Sequence, residues 1–87
     1  MKKWKQPKKP YANLSTYNKG TDQEVIIGLY IAPLGNVYIE QWIDSVFLQF
    51  FYNGFDHRGW VDGKKTKLQL ARAASKFYRQ CINTIHT

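Results

Sequence analysis

The sequence predicts an α+β fold: an antiparallel β-meander of three to four strands packed against a long C-terminal amphipathic helix, preceded by a flexible basic N-terminal arm. Three observations carry this expectation. Turn-forming pairs recur at nine-residue intervals through the middle of the chain, at Gly35-Asn36, Asp44-Ser45, Asn53-Gly54 and Asp62-Gly63. The seven-residue stretches between them, VYIEQWI, VFLQFFY and FDHRGWV, are rich in the β-branched and aromatic residues that suit a pleated surface. The last third, from Gly63 to Ile85, instead repeats its apolar residues at helical spacing.

The chain has 87 residues, 44% hydrophobic and 16% aromatic, which suffices for one small core but not for two. Residues 1–10 read as a disordered arm and residues 11–87 as a single domain. A domain of this size removes only about 60% of its unfolded surface from water, so a partner or a second copy would add stability. The single cysteine, Cys81, cannot form an intramolecular disulfide, and its place on the apolar helix face predicts a buried thiol in a reducing, cytoplasmic setting. No apolar run approaches the roughly 20 residues of a membrane span, so no membrane contact is expected.

Met1 to Pro10, MKKWKQPKKP, holds five lysines, two prolines and one tryptophan, and buries too little apolar surface to order itself. In PYANLSTYNK the three-residue spacing of Tyr11, Leu14 and Tyr17 predicts a short helix or an irregular strap before Gly20. Glu24 to Ala32 is the first expected strand, with Pro33 at its end, where a missing amide donor matters least. Two-residue turns joining the next stretches make a meander, Asn53-Gly54 being the strongest hairpin signal. A rival stays open across residues 37–53, because Ile39, Trp42, Ile43, Val46, Phe47, Phe50 and Phe51 also fit one face of a helix. In the C-terminal helix, Leu70, Ala71, Ala74, Phe77, Tyr78, Cys81 and Ile85 fall on one side. Lys65, Gln69, Arg72, Lys76, Arg79 and Asn83 fall on the other, with Asp62 or Thr66 as candidate cap.

The net charge of +7 is unevenly spread: residues 1–23 carry +5, residues 24–63 carry −4 and residues 64–87 carry +6. A polyanion would therefore meet the arm and the helix rather than the aromatic middle. The candidate nucleic-acid-binding residues are Lys2, Lys3, Lys5, Lys8 and Lys9 in the arm, and Lys64, Lys65, Lys67, Arg72, Lys76 and Arg79 around the helix. Lysine supplies point charge, and arginine forks onto phosphate oxygens in pairs. No acidic residue interrupts the helical ridge, so ion-pair support of the helix does not explain it. Trp4, among the arm lysines, is available to stack on a base.

The aromatic middle reads mainly as core. Both faces of VFLQFFY are apolar, however, so one must meet the helix and the other the arm, a second copy or a partner. That leaves a homodimer open and makes Tyr38, Trp42, Phe55 and Trp60 candidate protein-interface residues. Asp56-His57-Arg58 is the one cluster of titratable types, and neighbours on a strand point to opposite faces, so it forms no dyad. One cysteine and two distant histidines give no metal-ligand spacing, and no phosphate-cradling glycine loop or nucleophile elbow is present. The expectation is a non-enzyme without metal or cofactor.

From Pro10 onward, the order PYANLSTYNKG, strands, FYNG and GKKTK opening an alanine-containing helix resembles a divergent double-stranded-RNA-binding domain. The resemblance implies a short first helix, a three-stranded sheet and a phosphate grip by Lys64, Lys65 and Lys67. The family's third lysine sits one position later, and its mid-domain Gly-Pro-x-His loop is absent here. GLYIAP followed by FFYNGFD is similar to the last strand and helix of acyl-CoA-dependent acetyltransferases, without their glycine-rich coenzyme-binding segment. That likeness implies a fold fragment and no activity.

The functional expectation is a small basic RNA- or DNA-binding protein that contacts the phosphate backbone. The alternative is an inhibitor encoded by a phage or other mobile element, acting by protein-protein interaction on a host nucleic-acid-handling complex.

Overall fold

A computed structural model describes residues 8–18, 24–52 and 54–85. The predicted arm lies largely outside the described residues, as do Lys2, Lys3 and Lys5. Five strands form one antiparallel sheet in sequential order: β1 (Tyr11–Asn18), β2 (Glu24–Ala32), β3 (Gly35–Gln41), β4 (Ser45–Tyr52) and β5 (Phe55–Asp62). A 19-residue helix, α1 (Lys67–Ile85), packs on one face. The α+β class and the meander stand, and the rival helix across residues 37–53 is replaced by β3 and β4.

Two local expectations change. Tyr11–Asn18 is a strand, not a short helix or strap, and it makes five strands where three to four were expected. The two-residue period prevails over the three-residue one because β2 offers a ladder: Tyr11 pairs Ile31 and Tyr17 pairs Val25, while Ala12 and Leu14 turn toward the core. The β2–β3 turn lies at Pro33-Leu34 rather than Gly35-Asn36, with Ala32 and Gly35 paired across it. Proline second and glycine fourth in a four-residue turn is a pattern that type I turns favour.

The register places even-numbered residues of β1, β2 and β4 and odd-numbered residues of β3 and β5 on the helix side. Val37, Ile39, Val46, Leu48 and Phe50 are fully buried there against Leu70 and Ala74, and Cys81 closes the cluster. The Tyr78 ring lies 5.9 Å from both Phe50 and Tyr30, and its hydroxyl accepts from the Leu34 N–H at 3.0 Å. The helix is thereby tied to the β2–β3 turn.

Candidate nucleic-acid interface

The helix begins where three contacts converge. Gly63, at φ 93°, takes the left-handed conformation that glycine tolerates, and its N–H donates to the Asp44 carbonyl at 2.6 Å. The chain then passes Gln41, whose buried carboxamide bonds both backbone groups of Lys65. Thr66 caps the helix: its hydroxyl accepts from the Gln69 N–H at 3.2 Å, and the Gln69 side chain accepts from the Thr66 N–H at 2.9 Å. This reciprocal capping box satisfies two otherwise orphaned donors. Of the two expected caps, Thr66 takes the role, while the Asp62 carbonyl accepts from Lys65 Nζ at 3.2 Å.

These contacts narrow the ridge. Lys65 is half-buried with its amine turned onto the Asp62 carbonyl, and Gln69 is occupied in the cap. Lys64 and Lys67 are exposed on either side of the cap. Arg72, Lys76 and Arg79 remain, all exposed on one face and spaced four and three residues apart. They span about 10 Å at 1.5 Å per residue, against the roughly 27 Å that a ridge from Lys65 to Asn83 would cover. Among the described residues the ion pair is Arg58–Asp56, at 3.1 Å, and no carboxylate neutralises the three helix cations.

Lys8 and Lys9 are exposed just ahead of β1. The pairing of Tyr11 with Ile31 brings their root to the sheet end that holds the Pro33-Leu34 turn, where Tyr78 binds Leu34. Arg79 follows Tyr78 directly, so the described part of the arm and the C-terminal end of the ridge share one end of the molecule.

The opposite face of the sheet carries a different chemistry. Tyr38, Phe47, Phe51 and Trp60 lie on it, with Phe47 5.2 Å from Trp60 and 6.4 Å from Tyr38. Tyr38 donates to Glu40 Oε1 at 2.6 Å, and this bond, with burial and the Glu40 charge, pushes its hydroxyl up to about 12. Gln49 Nε2 donates to Asp56 at 3.1 Å and Arg58 to its other oxygen, holding the Asp56 carboxyl below its ordinary range. Of the protein-interface candidates, Tyr38 and Trp60 share this face, and Trp42 is exposed in the β3–β4 connection. Phe55 does not join them: it lies on the helix side, 6.2 Å from Phe50.

His57 also points to the helix side, its ring stacked 5.4 Å from Phe77 and 6.0 Å from Phe55, away from Asp56 on the other face. Among the described residues no three His, Cys, Asp or Glu side chains gather as metal ligands would. Among the described residues no helix is long and apolar enough to cross a membrane. Compared with protein-family models, with curated proteins and with solved structures, the chain matches none of them.

Proposed function

We propose that the protein binds nucleic acid through its phosphate backbone, with Arg72, Lys76 and Arg79 as the central contact. Lys64, Lys67, Lys8 and Lys9 extend it. The observation that carries this reading is the set of three exposed cations on one helix face with no carboxylate neutralising them among the described residues. On a solvated helix, acids four residues away commonly pair with such cations; α1 contains none. The helix docked on the sheet fixes the backbone positions from which these side chains reach, so no chain segment has to fold on meeting phosphate. Lys64, Lys65 and Lys67, the residues carried over from the double-stranded-RNA-binding likeness, sit at the start of this helix, where Lys64 and Lys67 are free to join. Contacts of this kind position a protein on a strand without reading bases, so binding is weakly selective and weakens steeply with salt.

The test is direct titration of fluorescently labelled duplex RNA, duplex DNA and single strands at low salt, read by anisotropy. Saturable binding of at least one of them is expected. Failure of all of them would end this reading.

A further inference from the structure

We infer that the helix-free face of the sheet docks an extended cationic segment of a partner protein, at a site separate from the phosphate-binding ridge. This face is open and apolar at its centre: Trp60 is 62% exposed, Phe51 53% and Leu29 38%. The register sets Ser15, Ile27, Glu40, Phe47 and Trp60 in one row across the strands. Asn13, Leu29, Tyr38, Gln49 and Arg58 form the next row, with Phe51 and Asp56 beyond it.

The charge on this face selects the occupant. Among the described residues Glu40, Asp56 and Asp62 lie on it against one cation, Arg58, which pairs with Asp56, so Glu40 and Asp62 give the face its net negative charge in a chain whose net charge is +7. Phosphate is repelled here, and a cation is drawn both by the carboxylates and by the electron-rich faces of Phe47 and Trp60. A second copy packed face to face would set acids against acids, so self-association through this surface is disfavoured.

Beside the aromatic cluster runs a groove of about 610 Å³, lined by Leu29, Pro33, Leu34, Tyr38, Gln49 and Phe51. It accepts an apolar side chain. Phe47 and Phe51 stand four residues apart on β4, about 13 Å at 3.3 Å per residue. An extended segment lying along the strands therefore places an arginine or lysine on Phe47 and Trp60 beside Glu40 when a bulky apolar residue four positions away enters the groove.

The experiment titrates the isotope-labelled full chain with a short synthetic peptide of threonines carrying one arginine and one leucine at that separation, followed by NMR. Shifts at Glu40, Phe47, Phe51 and the Trp60 indole are expected, with no shift at Arg72 to Arg79. Glu40→Gln weakens binding about threefold and Trp60→Ala about tenfold, both substitutions being on the open face and leaving the amide spectrum folded. A peptide with glutamate in place of arginine does not bind. Equal binding of both peptides, no binding of either, or shifts at these residues with a thymidine oligonucleotide instead would overturn the inference. So would a dimer in sedimentation that Trp60→Ala dissociates.

Discussion

Gln41 holds Lys65 by both of its backbone groups: the carboxamide nitrogen donates to the Lys65 carbonyl at 2.9 Å, and the carboxamide oxygen accepts from the Lys65 N–H at 2.7 Å. Gln41 is 2% exposed, at the inward-facing end of β3, so this polar pair fixes where the chain leaves the sheet and enters the helix. Gln41→Ala removes both bonds and is expected to cost roughly 1–3 kcal/mol in urea unfolding. Gln41→Glu should cost more, because a carboxylate oxygen would replace the donor facing the Lys65 carbonyl.

Gly28 of β2 pairs with Leu14 of β1. A Cβ built there would run into the Asn13 carbonyl oxygen and the Leu14 Cα, the latter at 2.8 Å, and both are backbone atoms that cannot rotate aside. Gly28→Ala should therefore push β1 away and cost about 1–3 kcal/mol, as overpacking does. Hydrogen exchange is the measurement: amides of Leu14 to Thr16 should lose protection while those of β3 and β4 keep theirs.

The Tyr38–Glu40 bond makes a pH prediction with a defined sign. The folded hydroxyl is raised from 10.0 to about 12, so the proton is held more tightly in the folded chain. The associated stability is present below pH 10 and lost as pH rises toward about 12. In an ultraviolet titration of the six tyrosines, the component removed by Tyr38→Phe should ionise near 12. In Glu40→Gln it should move back toward the ordinary value, since the charge and the charged acceptor are gone. Unchanged ionisation in Glu40→Gln would contradict the bond.

Much of the architecture was legible in the chain because its signals are local. Asn53-Gly54 and the strand-favouring stretches VFLQFFY and FDHRGWV on either side of it point to β4 and β5, and the 3.6-residue pattern from Leu70 to Ile85 points to the helix. In Tyr11–Asn18 the residues Tyr11, Leu14 and Tyr17 satisfy a helical spacing, and only pairing with β2, a tertiary event, turns that segment into an edge strand. At the β2–β3 turn, Gly35-Asn36 is the stronger local signal, and the Ala32–Gly35 pairing is what places the turn at Pro33-Leu34. The ridge was legible in residue type but not in extent. Lys65 and Gln69 fit its angular positions, yet the clamp from Gln41 and the cap with Thr66 take them out of it. One signal was present for the clamp: the alternation of VYIEQWI puts Gln41 on the same side as Val37 and Ile39, and a polar residue at an inward position needs a partner.

The most direct test of the central claim is the salt dependence of binding. Log affinity is measured against log salt for the wild type and for the combined Arg72→Gln, Lys76→Gln and Arg79→Gln variant, on whichever duplex or strand binds at low salt. If the three side chains each neutralise a phosphate, the variant binds more weakly on every sequence and its slope is shallower by about 3. Equal slopes and equal affinities would show that the ridge is a solvated surface and that phosphate is held elsewhere.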